Sequence, residues 1–194
     1  MGKIYYLMGK SSSGKDTIFK HLIQDESLKL RTIVGYTTRP IREGEREGVE
    51  YHFVKESEMH ELESQGKVIE RRSYNTVHGI WNYFTADDNQ IKLDKHNYLL
   101  IGTLEAYKNI RKYYGEDKVV PLYIEVDDGI RLMRALNREM QQAEPKYAEM
   151  CRRYLADQED FSEQLLEEAH IVKRYNNDDI TECLELIRQE ILEG

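Results

Sequence analysis

Residues 9–17, Gly-Lys-Ser-Ser-Ser-Gly-Lys-Asp-Thr, are the feature that most constrains what this chain can fold into. They follow a short apolar run at residues 4–8 that is typical of a buried strand, and they precede apolar residues at helical spacing. This order of strand, glycine-framed loop, lysine and helix indicates a phosphate-binding loop. Gly9 and Gly14 let backbone N–H groups turn inward, the helix start adds a positive dipole end, and Lys15 can lie along nucleotide phosphates.

The loop predicts a nucleotide site with one departure from the usual pattern. The pattern has Ser or Thr after the lysine as a Mg²⁺ ligand, whereas this chain has Asp16 there and Thr17 one residue later. The alternative is an ordinary Ser/Gly turn that caps a helix, but the strand before and the helix after favour the phosphate loop. The predicted nucleotide-binding residues are Gly9, Ser11, Ser12, Ser13, Gly14, Lys15, Asp16 and Thr17.

Composition limits the remaining functions. The 194 residues suffice for one domain with a good core. The net charge is −8, from 28 Lys+Arg against 36 Asp+Glu, which argues against non-specific nucleic-acid binding. No apolar run approaches the roughly 20 residues of a membrane span, and the chain starts in a predicted strand without a signal peptide. Cys151 and Cys183 lack metal-ligand spacing, so we expect reduced thiols in a cytoplasmic protein that binds neither nucleic acid nor membrane.

Hydrophobic periodicity predicts strands that alternate with helices, and this alternation indicates an α/β fold with a parallel sheet covered on both faces. The predicted strands cover residues 4–8, 30–36, 49–54, 68–74, 80–84, 98–102, 119–126 and 171–173. The predicted helices cover residues 14–25, 56–65, 104–114, 128–140, a long segment from after Pro145 to about residue 169, and a final segment from residue 180.

A second group of candidate residues lies in the charged loop after the strand at 30–36. Arg39 and Arg42 are three residues apart and Tyr51 follows, and guanidinium groups bind phosphate oxygens with two parallel hydrogen bonds. The loop also carries Glu43, Glu45 and Glu47. From this stretch alone, a solvated surface loop of mixed charge is the simpler interpretation.

The longer pattern around these residues resembles the guanylate kinase signature. It reads Thr37-Thr38-Arg39-Pro40-x-Arg42-x-Gly44-Glu45-x-x-Gly48-Val49-x-Tyr51-His52-Phe53-Val54, followed by Gly66-x-x-Ile69-Glu70 and a degraded element at His78-Gly79-Ile80. The resemblance covers nearly the whole chain, in order. It implies a three-layer P-loop kinase core with a parallel five-stranded sheet (residues 1–36 and 86–194), an inserted monophosphate-binding subdomain (about 37–85) and a helical lid (about 134–155).

The resemblance also implies the roles of individual residues. ATP would be the co-substrate and Mg²⁺ the cofactor, and the γ-phosphate would pass to a nucleoside monophosphate, most simply GMP or dGMP. Glu70 would accept hydrogen bonds from guanine N1 and the 2-amino group. The implied substrate-binding residues are Arg39, Arg42, Tyr51, Glu70, His78 and Gly79, and the implied catalytic residues are Lys15 with the lid arginines Arg134, Arg138 and Arg153. The simpler alternatives are an exposed strand residue for Glu70 and a basic helix surface for the arginines.

The chain departs from the family pattern at four places. They are Asp16 after the loop lysine, Ile101-Gly102-Thr103 where the family has Asp-x-Asp, Gly35 where a base-contacting serine is usual, and His78 and Ile80 in place of Tyr and Thr. The last three concern the acceptor. Another phosphorylated acceptor such as a ribose bisphosphate, whose kinases also carry Asp after the lysine, therefore stays open, as does a non-catalytic binding module.

Two of these departures suggest one hypothesis about the metal. Strand 98–102 lacks the usual carboxylates, and Asp16 places a carboxylate at the loop instead. Without a cation, an aspartate beside a triphosphate would be repelled. We therefore predict that Asp16 and Thr17 form the Mg²⁺ site, in a monomer or homodimer whose partners are small-molecule nucleotides.

Overall fold

Two sheets and seven described helices make up the computed structural model, which describes residues 2–76 and 79–194. The strands are β1 (Ile4–Met8), β2 (Leu30–Arg31), β3 (Tyr36–Thr37), β4 (His52–Phe53), β5 (Val68–Thr76), β6 (Gly79–Ala86), β7 (Asn97–Ile101), β8 (Val119–Glu125) and β9 (Arg174–Asn176). The helices are α1 (Lys15–Gln24), α2 (Glu56–Ser64), α3 (Leu104–Tyr114), α4 (Asp128–Met140), α5 (Tyr147–Asp160), α6 (Glu163–Glu168) and α7 (Ile180–Glu193), with a 3₁₀ turn at Glu26–Leu28. Among these helices, none is long and apolar enough to cross a membrane.

The core sheet has five parallel strands in the order β2-β7-β1-β8-β9, as predicted. The central strand β1 pairs with β7 from Ile4↔Tyr98 and with β8 from Ile4↔Val119. Every residue of β1 is buried, because helices cover both faces of the sheet. On one face the apolar cluster includes residues of α3 and α6, and on the other it includes residues of α1 and α7. The three-layer α/β architecture is therefore confirmed.

A second sheet has the order β4-β3-β6-β5. Its longest pairing is the antiparallel ladder of β5 and β6, which runs from Val68↔Ala86 to Thr76↔Gly79 with an irregularity between Val68 and Glu70. A small apolar cluster joins this sheet to α2 through Met59, Phe84 and Ala86. The strand predicted at 49–54 is reduced here to the two residues of β4.

The strand predicted at residues 30–36 is wrong as a single element. Leu30–Arg31 is an edge of the core sheet, whereas Tyr36–Thr37 belongs to the second sheet. Between them, the Gln90 side chain satisfies the backbone of Val34, because its Oε1 accepts from the Val34 N–H at 2.9 Å and its Nε2 donates to the Val34 carbonyl at 3.1 Å. The segment has the apolar composition of a strand, but a side chain supplies the hydrogen bonds of a ladder.

Two further boundaries also differ from the prediction. The long helix after Pro145 is interrupted, since α5 ends at Asp160 and the buried Phe161 ring packs 5.8 Å from the Tyr123 ring before α6 begins. The last strand lies three residues later than 171–173, because Arg174 is the residue that pairs with Tyr123 of β8. Val172, which was assigned to that strand, is 90% exposed.

A substitution on α7 tests the packing of this helix on the core sheet. Ile187 is fully buried in the cluster that also holds Leu22 and Leu122. Ile187→Ala should lower the free energy of unfolding by about 2–5 kcal/mol, through lost burial and the cavity left behind. Urea denaturation measures the change. Leu192→Ala on the same helix is the control, because Leu192 is 64% exposed and should change stability by at most about 0.5 kcal/mol. Equal losses in the two variants would contradict this assignment of faces.

Candidate functional site

The loop between β1 and α1 is held closely against the carboxyl end of the core sheet. A Cβ atom at Gly9 would lie 2.6 Å from the carbonyl oxygen of Ile124 on β8. Gly14 has φ +86°, in the left-handed region, and a Cβ atom there would lie 2.4 Å from Nδ2 of Asn177. Both predicted glycines are thus required by backbone conformation or by close approach, as a phosphate-binding loop demands.

Polar groups of the loop fit an oxygen-rich anion. Asn177 is buried, and its Nδ2 donates to the Ser13 carbonyl at 2.7 Å, which fixes the end of the loop. Within the described residues, the buried hydroxyls of Ser12 and Ser13 have no hydrogen-bond partner. Unpaired buried hydroxyls are costly unless a ligand or water satisfies them. The donors of this loop and the start of α1 behind them therefore suit nucleotide phosphates.

Lys15 and Asp16 open α1 and line the same cavity. Burial lowers the pKa of the Lys15 amine, and the nearby carboxylates of Asp16 and Asp157 oppose this shift. Lys15 Nζ lies 4.0 Å from Asp16 Oδ2, whose side chain is 81% exposed. Thr17 is also exposed. Among the described residues, no cluster of three or more His, Cys, Asp or Glu could hold a metal by itself, so a cation at Asp16 would depend on phosphate oxygens for its remaining ligands.

A buried arginine that the sequence reasoning missed supports the loop from the other side. Arg131 on α4 is 1% exposed, and its Nη1 donates to the Ser11 carbonyl at 2.9 Å. Its charge is balanced by Asp128 at 2.6 Å and by Asp157 at 3.5 Å. Asp157 Oδ2 also accepts from the Ser11 N–H at 2.8 Å. The spacing of Asp128 and Arg131 on one helix was visible in the sequence, but the approach of α5 to the loop was not.

The predicted lid arginines have different surroundings. Arg138 and Arg153 are exposed and, with Ser11 and Ser12, line a cavity of about 230 Å³ between the loop and the helices α4 and α5. Arg153 also lines the larger cavity that contains Lys15. Arg134 instead donates from Nη2 to the Asn177 carbonyl at 3.0 Å, so it supports the segment behind the loop.

The larger cavity has a volume of about 590 Å³ and joins the loop, the second sheet and α5. Lys15 and Asp16 line one end, and the predicted acceptor residues Tyr51 and Glu70 line the other. Burial raises the pKa of the Tyr51 hydroxyl, which therefore stays a hydrogen-bond donor at neutral pH. Gly35 stands where a base-contacting serine was expected. A Cβ atom added at Gly35 would lie 3.8 Å from the Tyr51 ring.

The two arginines predicted to bind the acceptor phosphate, Arg39 and Arg42, have other contacts in this structure. Arg39 is buried, and Glu45 accepts from its Nη1 and Nη2 at 2.7 and 2.6 Å. The Arg39 guanidinium holds the pKa of the Glu45 carboxyl at about 2, far below its usual range. Arg42 is exposed, with its guanidinium carbon 5.9 Å from the Trp81 ring centroid. Gly79 is exposed at the start of β6, and His78 lies outside the described residues.

Comparison with known proteins places this geometry in context. The sequence profile of the family described as guanylate kinase matches residues 1–192. The crystal structure of guanylate kinase from Anaplasma phagocytophilum superimposes with a TM-score of 0.61 over 99% of this chain and 85% of that chain, at 23% identity. The fold is therefore that of a P-loop kinase.

Three curated relatives are more similar in sequence, two of them over only part of the chain. The guanylate kinase of Malacoplasma penetrans is 33% identical over 138 residues, 71% of this chain and 58% of that protein. That of Mycoplasma mobile is 38% identical over 114 residues, 58% of this chain and 55% of that protein. The chain thus spans little more than half the length of these two relatives. The guanylate kinase of Porphyromonas gingivalis is 26% identical over 98% of this chain and 97% of that protein.

A pair of glycine substitutions tests the loop. Gly14→Ala should abolish measurable ATP binding, because the new methyl group would displace Asn177 and add a left-handed strain of about 1–2 kcal/mol. Gly44→Ala is a matched control, since Gly44 has φ +85° but nothing within 4 Å of an added Cβ. Titration calorimetry with ATP measures the binding. ATP affinity that is unchanged in Gly14→Ala, or lost equally in both variants, would contradict the role of the loop.

Proposed function

Because this chain belongs to the guanylate kinase family, we propose that it is a cytoplasmic phosphotransferase that moves the γ-phosphoryl group of ATP to a nucleoside monophosphate, in the first instance GMP or dGMP. The observation that carries this proposal is the single cavity that reaches from Lys15 in the loop to Tyr51 and Glu70 in the second sheet. A donor phosphate at one end and an acceptor phosphate at the other would meet within one cavity.

Phosphoryl transfer of this kind depends on position and charge. The acceptor phosphate is already an anion near neutral pH, so transfer needs in-line alignment and charge neutralisation more than a general base. Lys15 and the loop N–H groups bind the donor phosphates in this proposal, and Arg138 and Arg153 neutralise charge from the α4–α5 side. We propose that the segment around residues 134–155 closes as a lid, which would exclude water and suppress ATP hydrolysis.

The acceptor phosphate would be held by Arg39, Arg42 and Tyr51 through an exchange of partners. Glu45 now uses the fork of Arg39 that a phosphate would need. Glu45 also accepts from the backbone N–H of Arg42 at 2.9 Å, whereas the Arg42 guanidinium is exposed and open to a phosphate. A phosphate dianion, with more charge and more acceptor atoms, can displace Glu45 from Arg39. In this proposal, Glu45 keeps the buried arginine neutralised until the acceptor arrives.

Guanylate kinases in general use Mg²⁺ with ATP, and we propose that Asp16 and Thr17 hold it in this chain. Bound Mg²⁺ would supply positive charge that neutralises the charge developing during transfer. Asp16 fits this role because its exposed carboxylate lies beside Lys15 at the cavity wall. A carboxylate is also the oxygen ligand that Mg²⁺ prefers.

An acceptor panel tests the proposed reaction. With Mg²⁺ and ATP, the protein should form ADP faster with GMP or dGMP than with AMP, CMP, UMP or ribose 1,5-bisphosphate. Lys15→Ala should reduce turnover about 100-fold or more, as removal of one positioned charge from a transition state does, while thermal unfolding stays unchanged. Lys20→Ala is the control, because Lys20 is an exposed lysine on the same helix. Selective use of the ribose bisphosphate, or no turnover of any acceptor, would refute the proposal in favour of the two alternatives stated above.

The metal assignment has a separate test. Asp16→Ala should raise the Mg²⁺ concentration for half-maximal activity about tenfold or more, because loss of a group in a metal site weakens its affinity by such factors. Activity is followed over a Mg²⁺ titration at fixed ATP. Glu26→Gln, which removes an exposed carboxylate just beyond the far end of α1, should leave the titration unchanged. An Asp16→Ala protein with the original Mg²⁺ dependence and rate would remove Asp16 from the site.

A further inference from the structure

The carboxylate of Glu70 is already bonded at the end of the cavity where the acceptor base would lie. Its side chain is 2% exposed. Glu70 accepts from Arg72 Nε at 3.1 Å, from Arg72 Nη2 at 3.4 Å and from Thr85 Oγ1 at 2.8 Å. A carboxylate has about four acceptor positions. These three donors therefore leave roughly one position for a substrate.

Arg72 is itself a wall of the cavity and has a donor to spare. It lies two residues after Glu70 on β5, so both side chains point to the same face of the strand. Its Nε and Nη2 bind Glu70, whereas Nη1 has no acceptor among residues 2–76 and 79–194. The cavity end thus presents one acceptor position of Glu70 directly beside a free guanidinium N–H.

The neighbouring core strand supplies no carboxylate at this end of the cavity, because the residues that line it there are Ile101, Gly102 and Thr103. Gly102 follows β7, and a Cβ atom there would lie 2.1 Å from the hydroxyl of Tyr6. The Tyr6 ring, buried on β1, fills the space into which a longer side chain at position 102 would extend. Tyr6 is also close enough to Glu70 and Arg72 for their charges to act on its hydroxyl. Tyr6 and Arg72 therefore define the end of the cavity together.

This arrangement changes the edge of a base that the cavity can recognise. A carboxylate with two free positions complements two adjacent donors, such as guanine N1–H and the 2-amino group. A carboxylate with one free position beside a guanidinium complements a donor next to an acceptor, such as a ring N–H beside a carbonyl oxygen. Guanine, hypoxanthine and xanthine all present that pair, whereas adenine has an unprotonated N1 and no carbonyl group.

We propose that Arg72 is a specificity-determining residue that makes the acceptor class oxopurine nucleoside monophosphates, read by N1–H and a neighbouring carbonyl oxygen instead of the 2-amino group. This inference rests on the proposed function, because it concerns the acceptor of that same reaction. It predicts that the wild-type protein uses IMP nearly as well as GMP. Removal of Arg72 frees Glu70 to accept from both donors of guanine and restores discrimination in favour of GMP.

The test compares kcat/KM for GMP, IMP, XMP and AMP in wild-type protein and in Arg72→Ala. We expect the wild-type values for GMP and IMP to lie within about tenfold of each other, with AMP far below both. In Arg72→Ala the ratio of GMP to IMP should rise about tenfold or more, the effect of one additional hydrogen bond to a charged group. A purely structural role of Arg72 would lower both values and leave their ratio unchanged, so an unchanged ratio overturns the proposal.

Two further variants keep the result interpretable. Arg71→Ala removes the adjacent arginine, which pairs with Glu63 at 2.6 Å and not with Glu70, and its ratio should equal that of the wild type. Arg72→Lys serves if Arg72→Ala does not fold, because lysine keeps a positive charge beside the buried carboxylate but lacks the fork, so the ratio should rise in the same direction. Wild-type protein that uses GMP more than about 100-fold better than IMP, far beyond the loss of a single weak contact, would overturn the inference alone. Absence of turnover with every nucleotide would overturn the proposed function as well.

Discussion

The contact between the phosphate loop and the segment after β9 is the interaction on which the rest of the site depends. Asn177 Nδ2 donates to the Ser13 carbonyl, and it occupies the space that a side chain at residue 14 would need. The Asn177 N–H in turn donates to the Glu125 carbonyl at the end of β8. The loop is therefore fixed to two core strands at once. A loop that binds phosphates through backbone N–H groups needs such fixed geometry, because its donors cannot adjust as side chains do.

A second constraint follows from the charges that surround the loop. Arg131 is buried, and a buried cation is tolerated only with compensating charge and hydrogen bonds. Asp128, Asp157 and the Ser11 carbonyl supply them, so α4 and α5 are tied to the loop by one network. Asp157 also accepts from the Ser11 N–H. The position of α5 thus affects the loop directly, and a movement of α5 would be transmitted to Ser11 through Asp157.

The features that could be predicted from the sequence are those set by residues close together in the chain, and the features that could not are set by distant residues. The strand β1, the loop and α1 were predictable because apolar runs, glycines and a lysine at fixed spacing encode them within about 20 residues. The break at Val34 was not, because Gln90, far along the chain, supplies the hydrogen bonds that replace a ladder. The end of α5 depended on the packing of Phe161 against Tyr123. The role of Arg131 was likewise not predictable, because it depends on α5 lying beside it, and in the sequence Arg131 is one basic residue among several.

The predicted acceptor residues show a limit of a different kind. Of the predicted acceptor residues, Tyr51 and Glu70 line the cavity, but a role assigned by position says nothing about which partners those groups already have. Arg39 is bound to Glu45 and Glu70 is bound to Arg72, so each group is already paired with a residue of opposite charge. Acceptor binding is then an exchange of hydrogen bonds, and its free energy is the difference between two sets of partners. If both proposals hold, specificity in this site is decided by the residue that must give way, and Glu45 and Arg72, neither of them predicted to touch the substrate, control what the cavity accepts.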